Sequence, residues 1–343
     1  MVTSFCPKRA DQVAELYKRL NDAVNIYWRL AEDDQPLTVD FQAVNSWESM
    51  LATLPEHAGR PAAFVKVFRD PASFRREHRA VVASQALIVD RPDGSRARVP
   101  ALLCALEAQQ ALVLERIDGT VLGTRIRRDY PFLKNRYVPA LRALGSWLRL
   151  FHALDRPSTS HHDILERQLT FIRSTLQRAE PRIGPGPTGQ AHRLLGMLGE
   201  ELGARPRPLK WCHGDFQPDN IIVGGQTLHV VDFAFSGRGW KEQDLVLLWH
   251  NLRTGLCDLP FGPRAARLLW SAFLSGYGLH AREKVDGWVW DLFELRYQSF
   301  TISWTTHLDQ RSTRQKLRSL YRYVLGLHHF RHWLDGRIRA YGL

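Results

Sequence analysis

The chain has 343 residues, of which 44% are hydrophobic and 24% are charged, as in a globular protein with a large buried core. Its 47 basic and 35 acidic residues give a net charge of +12, which indicates either an anionic partner (nucleotide, phosphosugar, nucleic acid or acidic membrane) or simply a solvated basic surface. No apolar run reaches the roughly 18 residues of a membrane span, and the N-terminus has no signal-peptide core. The four cysteines are scattered along the sequence. We therefore expect a cytoplasmic protein with reduced thiols.

The first third of the chain predicts a strand-rich unit. Apolar residues at three- and four-residue spacing predict a helix over residues 8–31, which Pro36 ends, so that residues 1–36 form a helical extension. The strand-like runs that follow are Leu37–Val44, Ser49–Leu54 and Ala62–Phe68. After a predicted helix at Pro71–Ser84, further strand-like runs occupy Ala86–Val89, Val99–Glu107 and the residues from Ala111 onward.

A lysine interrupts the apolar pattern of the third strand-like run. Lys66 stands between Val65 and Val67, and burying its ammonium without a partner would be costly. Glu77, on the helix that follows, is a candidate partner, since such a pair positions a lysine against nucleotide phosphates. The alternative is a solvated edge lysine beside an exposed helical glutamate.

The character of the sequence changes near residues 115–120. The strand Ala111–Leu114 runs into the polar segment Glu115-Arg116-Ile117-Asp118-Gly119, which would serve as a hinge. Helical patterns dominate downstream, with long apolar stripes beginning at Leu133–Leu154. The Pro/Gly stretch Pro181–Gly189 is predicted to link two of these helices. We therefore divide the remainder into residues 37–117 and residues 118–343.

The stretch Trp211–Phe233 carries the strongest chemical signal. A short apolar lead-in ends in His213-Gly214-Asp215, and Asn220 follows five residues after the aspartate. Two apolar runs then flank a Gly-Gly turn, and the second run ends at Asp232, which predicts a pair of buried strands. That pair would bring Asp215, Asn220 and Asp232 to one rim of a cleft, an arrangement that can hold Mg²⁺ on a nucleotide and orient an attacking hydroxyl.

Taken together and in this order, these elements resemble the aminoglycoside phosphotransferase and choline kinase-like family. The resemblance covers about residues 37–250. It is carried by Trp211-Cys212-His213-Gly214-Asp215, Asn220-Ile221-Ile222 and Val230-Val231-Asp232-Phe233, with support from Val65-Lys66-Val67 and from residues 112–119 and 144–152. It implies an α+β, bilobal protein-kinase-like fold: a small N-terminal lobe of antiparallel sheet plus helix, and a larger, mainly helical C-terminal lobe.

The resemblance also implies a role for each site residue in an ATP-dependent kinase. Asp215 would accept or orient the proton of the substrate hydroxyl, and Asn220 and Asp232 would hold Mg²⁺ between the phosphates. Lys66 would contact the phosphates and would be held in place by Glu77.

Three further positions complete the predicted site. Backbone groups near Glu115 and Ile117 would meet the adenine of ATP or of another nucleoside triphosphate. We interpret His213 as a structural prop, because Asp215 already has the role of base, and Asp244 as a helix cap or loop anchor.

Two departures from protein kinases favour a small-molecule hydroxyl as acceptor. Gly214 stands where an arginine would read a phosphorylated activation loop, and only about eight residues separate Asp232 from the next predicted helix near Lys241. A third departure concerns the nucleotide: Asn45-Ser46-Trp47 replaces the expected Gly-rich phosphate loop.

The choice of acceptor is expected to depend mainly on residues of the C-terminal helices. From Arg311 to Leu343, eight basic residues face a single acid, Asp335, on a predicted amphipathic helix. Among the candidate acceptors (a sugar, an amino alcohol, an antibiotic or a cell-envelope precursor), this favours a sugar or cell-envelope precursor over an aminoglycoside. It also suggests weak peripheral contact with an anionic membrane as an alternative to simple packing on the lobe. We expect no nucleic-acid partner, since no zinc finger or aromatic RNA-binding motif is present.

Two rival functions stay open from the sequence. One is a kinase-fold nucleotide-binding or regulatory protein without turnover. The other is a metal-dependent phosphohydrolase that would use His161-His162-Asp163, for which no further ligands occur in a compatible pattern.

Overall fold

The computed structural model describes residues 7–29, 49–56, 61–130, 133–154, 161–205, 207–256, 259, 261–279, 286–304 and 313–343. The strands of these segments are β1 (Ser49–Leu54), β2 (Ala63–Phe68), β3 (Val89–Asp90), β4 (Arg96–Arg98), β5 (Leu102–Leu106), β6 (Ala111–Glu115), β7 (Thr120–Val121), β8 (Lys210–Cys212), β9 (Ile221–Gly224), β10 (Thr227–Val230) and β11 (Gly237–Gly239). The α-helices are α1 (Pro7–Arg29), α2 (Pro71–Ser84), α3 (Leu122–Arg128), α4 (Leu133–His152), α5 (His162–Ile183), α6 (Pro185–Ala204), α7 (Glu242–Leu256), α8 (Gly262–Tyr277), α9 (Gly287–Trp304) and α10 (Thr313–Tyr341). The strand predicted at Leu37–Val44 and the turn Asn45-Ser46-Trp47 lie outside the described residues.

The first sheet is antiparallel, with strand order β1-β2-β6-β5. Because side chains alternate along a strand, the apolar residues of β1 and β2 on one face meet the apolar stripe of α1. The buried residues at this interface are Leu16, Leu20, Val24 and Tyr27 of the helix and Met50, Ala52, Val65 and Val67 of the strands. The predicted helix over residues 8–31 is confirmed, with bounds Pro7–Arg29.

Helix α2 covers the opposite face of this sheet. Asp70 caps its start, since the carboxylate accepts hydrogen bonds from the Ala72 and Ser73 backbone N–H groups at 3.1 and 2.9 Å. Phe74 packs against Phe68 of β2 and Leu112 of β6. The bounds of the helix, Pro71–Ser84, are those the sequence predicts.

A second sheet connects the strand-rich part to the central stretch, with order β3-β4-β10-β9-β7. Strand β4 runs parallel to β10, and β9 and β10 form the predicted antiparallel pair. The strand predicted at Val99–Glu107 is present as β5 but is shorter, Leu102–Leu106, and β4 precedes it at Arg96–Arg98. Pro100, which has no N–H to donate to a ladder, lies between the two strands. The run Ala86–Val89 is likewise a strand only from Val89.

The helical part centres on α4 and α8, which touch through glycines. A Cβ on Gly145 would overlap the Phe273 carbonyl oxygen, and a Cβ on Gly276 would overlap that of Arg142. The two backbones therefore approach more closely than larger residues permit. The core beneath contains Leu141, Leu144, Leu148 and Phe273.

The connection between α5 and α6 differs from the prediction. Instead of a linker over Pro181–Gly189, a single residue, Gly184, joins the two helices. Pro185 occupies the first turn of α6, where a missing N–H costs nothing because that group would have no intrahelical partner. Gly184 adopts φ +92°, and its N–H bonds the Glu180 carbonyl.

Helix α10 lies against α6 and α9 through its buried residues Phe330, Leu334 and Ile338. Arg331 donates to the Ile183 carbonyl at 2.9 Å, and Arg337 pairs with Asp291 at 3.1 Å. Part of its basic face is thus used in packing. Within the described segments, none of the helices combines the length and apolar character that a bilayer span requires.

Candidate active site

The loop after β8 turns sharply at Gly214. This residue has φ +84°, and a Cβ there would overlap the Phe235 carbonyl oxygen, so both conformation and space require glycine. A short 3-10 helix, Pro218–Asn220, then leads into β9. The loop is therefore packed directly beneath the segment that follows Asp232.

Asp244, on the first turn of α7, anchors this loop. Its fully buried carboxylate accepts the His213 N–H at 2.7 Å and the Gly214 N–H at 2.8 Å. His152 of α4 approaches the same carboxylate at 3.0 Å and also contacts the Tyr277 hydroxyl at 2.7 Å. The expectation that Asp244 is a loop anchor is confirmed.

His213 is buried inside the loop. Its Nε2 lies 3.1 Å from the Val231 carbonyl oxygen, and its Nδ1 accepts the Asp215 N–H at 3.3 Å. Those contacts require the tautomer with the proton on Nε2, which leaves the ring neutral. Burial lowers the pKa of His213 despite the nearby carboxylates, which fits a structural prop.

The Asp215 carboxylate is held by two amides. Gln217 Nε2 lies 3.0 Å from both of its oxygens, and Asn220 Nδ2 donates to Oδ2 at 2.7 Å and to the Asp215 backbone carbonyl at 2.8 Å. Burial raises the pKa of Asp215, although the two amides oppose that shift. A carboxylate with a raised pKa is a stronger base than an exposed one.

Asp232 lies at the end of β10, beside Asn220. The Val231 N–H donates to the Asn220 carbonyl at 3.0 Å, which joins the two segments. Asp232 itself adopts φ +67°, an uncommon conformation for a residue other than glycine. Its side chain is 42% exposed, so the carboxylate remains accessible from solvent.

Lys66 of β2 bridges the two halves of the cleft. Its Nζ lies 2.7 Å from Glu77 Oε2 on α2 and 2.9 Å from Asp232 Oδ1. Although burial works against the ammonium, the two carboxylates outweigh it and raise the pKa of Lys66. The predicted partner of Lys66 is therefore present, and a second carboxylate joins it.

The charges of this cleft do not balance within the described part of the chain. Glu77 and Asp232 contact one ammonium, Asp215 lies close enough to Asp232 for the two carboxylates to repel each other, and His213 is neutral. Burial, with a smaller contribution from the nearby Asp232 carboxylate, raises the pKa of Glu77 even though Lys66 lies beside it. The excess negative charge, and the carboxylate and amide oxygens at Asp232 and Asn220, suit a hard divalent cation such as Mg²⁺.

The predicted hinge runs from the end of β6 to the start of β7. The Glu115 side chain accepts from Arg98 at 2.7 Å and from the Ala101 N–H at 3.0 Å, so it ties the two sheets together. The Arg116 N–H donates to Ala62. Among the residues that the structure describes, the Ile117 N–H and carbonyl make no hydrogen bond, which leaves them available to a ligand.

Two contacts in the cleft could not be anticipated. Gln217 carries no motif signal beyond lying two residues after Asp215, and Arg76 donates from α2 to the Ala234 carbonyl at 2.9 Å across 158 residues of sequence. The segment from Asp232 to α7 is as short as expected, with α7 beginning at Glu242.

The rival metal site finds no support in the described segments. His161 Nε2 is bonded to the Leu202 carbonyl at 2.9 Å. The one group of three potential ligands that these segments bring together is His152, Cys212 and Asp244, all buried. Its carboxylate already receives two backbone N–H groups, and the Cys212 thiol lies against the Trp240 carbonyl at 3.2 Å, so this cluster supports the loop.

Three solved structures share this fold. An amicoumacin kinase, hAmiN, in complex with AMP-PNP, Ca²⁺ and Ami, is 15% identical over 94% of this chain and 96% of its own, with a TM-score of 0.54. An ethanolamine kinase from Plasmodium vivax is 12% identical over 95% of each chain, with a TM-score of 0.52. The choline kinase LicA from Streptococcus pneumoniae is 15% identical over 90% of this chain and 99% of its own, with a TM-score of 0.50.

These likenesses confirm the α+β, protein-kinase-like fold. No curated protein matches the sequence at a significant level. The family described as the phosphotransferase enzyme family matches residues 56–285, which is more than half of the chain. The chain therefore belongs to the phosphotransferase enzyme family.

Proposed function

We propose that this chain transfers the γ-phosphoryl group of ATP, or of another nucleoside triphosphate, to a hydroxyl group of a small molecule. The observation that carries the proposal is the bridge from Lys66 to Glu77 and Asp232, at 2.7 and 2.9 Å. It joins the strand-rich lobe to the rim that holds Asp215 and Asn220. Residues 37–117 would form the nucleotide-binding lobe, residues 118–343 the catalytic lobe, and residues 1–36 an extension.

Each side chain has a role in this reaction. The acceptor hydroxyl oxygen forms a bond to the γ-phosphorus while Asp215 takes the hydroxyl proton. The bond between the γ-phosphorus and the β–γ bridging oxygen breaks, and the nucleoside diphosphate leaves. Gln217 and Asn220 orient the Asp215 carboxylate. Lys66, positioned by Glu77, would contact the phosphates.

Asn220 and Asp232 would hold Mg²⁺ through their side-chain oxygens. When bound, the ion neutralises the charge of the phosphates. The excess of buried carboxylates over ammonium groups supports this assignment. The unbonded backbone groups of Ile117, next to Glu115, would meet the adenine.

The acceptor side of the cleft favours a small molecule. Phe235 follows Asp232 by three residues and is 54% exposed, and its backbone carbonyl and Cβ lie against Gly214 of the catalytic loop. An exposed aromatic ring offers an apolar face to a ring or chain of the acceptor. The relatives' names, which refer to amicoumacin, ethanolamine and choline, are all those of small molecules.

Turnover measurements test the proposal. Purified protein is assayed for Mg²⁺-dependent ATP consumption with a panel of sugars, amino alcohols, cell-envelope precursors and antibiotics. We expect Asp215→Asn to abolish acceptor-dependent turnover, and Asp219→Asn, at a neighbouring exposed carboxylate, to retain it. Nucleotide binding without turnover on any acceptor would instead support a regulatory protein.

Weak peripheral contact of α10 with anionic membranes stays a prediction. The test is co-pelleting of the protein with vesicles that contain or lack acidic lipid. Equal pelleting of the protein with both kinds of vesicle would contradict the prediction. The packing of Arg331 and Arg337 against the lobe supports the simpler interpretation of a helix bound to its own protein.

A further inference from the structure

A polar cavity lies outside the cleft, against α2. It has a volume of about 320 Å³. Helix α2 and the turn between β5 and β6 form its walls, which include Phe74, Arg75, His78, Arg79, Glu107 and Gln110. None of these residues has a role in the proposed transfer reaction.

The cavity carries unbalanced positive charge. Arg75 and Arg79 lie one helical turn apart, both are exposed, and neither forms an ion pair or hydrogen bond within the described segments. Their neighbour Arg76 differs, because its guanidinium is engaged by Asp70, Ser73 and the Ala234 carbonyl. Like charges at this spacing destabilise a helix, and an anion between them would remove that repulsion.

One of the residues that line this cavity is acidic. Glu107 lies on the far wall and, among the described residues, forms no ion pair with either arginine. His78, between the two arginines in sequence, adds a ring nitrogen that can donate. Two guanidinium groups and an imidazole around one space match the donor pattern that a phosphate group requires.

Ring contacts connect Phe74, in the floor of the cavity, to Lys66 through Phe68. The Phe74 ring stacks on His78 with centroids 5.7 Å apart, and its other side meets Phe68 edge-on at 5.9 Å. The Phe68 ring in turn lies 4.9 Å from Lys66 Nζ. Helix α2 is therefore connected to Lys66 in two ways: directly through Glu77, and indirectly through Phe74 and the Phe68 ring of β2.

The opposite wall is tied to the same strand. Gln110 adopts φ +51°, and its carbonyl accepts the Phe68 N–H at 2.9 Å. Its side chain accepts from Arg19 of α1 at 2.8 Å. A ligand that spans the cavity would thus connect α2 to the end of β2, where Phe68 lies.

We propose that this cavity binds the phosphate group of a small phosphorylated metabolite and that its occupation stabilises α2, which carries Glu77. The site is separate from the nucleotide cleft, and the inference goes beyond the transfer reaction. Arg75, Arg79 and the His78 ring nitrogen bind the phosphate oxygens, while Phe74 forms the floor beneath the rest of the ligand.

Binding is tested with inorganic phosphate and with ribose 5-phosphate, by ³¹P line broadening and by amide hydrogen exchange of residues 71–84. We expect saturable broadening and slower exchange in the unmodified protein. Arg75→Gln/Arg79→Gln should weaken binding at least about tenfold, since each charged hydrogen bond contributes about that factor. Arg264→Gln/Arg267→Gln, at a pair of exposed arginines on α8, is the matched control and should bind normally.

Lys66→Met separates this site from the cleft, because it removes the phosphate-contacting group proposed there. We expect Lys66→Met to retain binding of both probes. Tighter binding of ribose 5-phosphate than of inorganic phosphate would show that the cavity floor contributes to affinity. Equal binding of the two would show that the cavity recognises the phosphate group alone. Binding lost in Lys66→Met but kept in Arg75→Gln/Arg79→Gln, or no saturable binding at all, would overturn the proposal.

Discussion

Lys66 and Asp232 are 166 residues apart in the chain, and their Nζ and Oδ1 atoms lie 2.9 Å apart across the cleft. Glu77 approaches the same ammonium at 2.7 Å, so one cation serves two carboxylates. Because Glu77 is only 1% exposed whereas the Asp232 side chain is 42% exposed, the two contacts differ in kind. Glu77 holds the ammonium in a buried pair, and in the proposed site the more exposed Asp232 would exchange its contact with Lys66 for Mg²⁺.

Replacing Lys66 should therefore affect both stability and activity. Lys66→Met leaves the buried Glu77 carboxylate without its cation, and removal of one member of a buried ion pair costs about 3–5 kcal/mol. The double variant Lys66→Met/Glu77→Leu removes both charges and should recover much of the free energy of unfolding. Turnover should fall by about two orders of magnitude or more in both variants, because the phosphates lose their ammonium.

Chemical denaturation and turnover assays check these values. Lys18→Met, on the exposed side of α1, is the control and should change neither quantity. If the double variant were no more stable than Lys66→Met, the unpaired Glu77 would not be the source of the loss.

The anchoring of the catalytic loop yields a second prediction. Asp244→Ala leaves the His213 and Gly214 N–H groups without their acceptor in a buried place. We expect the free energy of unfolding to fall by about 2–4 kcal/mol, since each unsatisfied buried donor costs about 1–3 kcal/mol. Thermal unfolding followed by circular dichroism measures the change.

A surface carboxylate provides the comparison for Asp244. Asp90 pairs with Arg96 at 3.1 Å, and both side chains are more than half exposed. Asp90→Ala should therefore change stability by no more than about 1 kcal/mol. Equal losses in Asp90→Ala and Asp244→Ala would contradict the role of Asp244 as an anchor.

The location of the site could be predicted from the sequence to the extent that its signals are local. Asp215 and Asn220 are five residues apart, and Asp232 lies two residues after the partner strand of a short hairpin, so spacing and strand pattern suffice to bring them together. The contact of Lys66 with Asp232 has no local signal, because it depends on how the two lobes pack. The contacts of Gln217 and Arg76 have none for the same reason: a polar side chain acquires a partner only when the loop geometry is known.

The fold shows the same division between local and distant determinants. Helices α1 and α2 follow from apolar spacing and from the Asp70 cap, and the sequence predicts both to within a few residues. The parallel pairing of β4 with β10 joins residues that are far apart in the sequence, such as Ala97 and Leu228. Strand β4 is also only three residues long. So short a strand has too few residues to show a period, and its partner cannot be read from its own sequence.

Close contact between α4 and α8 yields a third prediction. Gly276→Ala would place a Cβ against the Arg142 backbone, which cannot move without shifting α4. Overpacking of this kind costs about 1–3 kcal/mol or more. Around Gly336, inside α10, no described atom lies within 4 Å of the position that a Cβ would occupy, so Gly336→Ala should stabilise the protein by about 0.5–1 kcal/mol. Opposite signs in the two changes of melting temperature are the expected result.

The stability of the protein should also depend on pH through His250. Burial, with a smaller contribution from Arg253, lowers the pKa of His250 to about 3. Its Nε2 contacts the Thr301 hydroxyl at 2.9 Å. Because the ordinary pKa of histidine is 6.5, His250 binds a proton below that pH in the unfolded chain but stays neutral in the folded protein. The free energy of unfolding therefore decreases as the pH falls below 6.5. Between about pH 7.5 and pH 5 this histidine should account for a loss of about 2 kcal/mol.

His250→Gln keeps a polar contact for Thr301 and removes the titration. Its free energy of unfolding should therefore fall less steeply with acid than that of the unmodified protein, by about 2 kcal/mol over the same interval. Urea denaturation at the two pH values measures the difference. His162→Gln, at an exposed position on the first turn of α5, should leave the pH dependence as it is. Identical acid slopes for His250→Gln and the unmodified protein would show that His250 is not kept neutral in the folded state.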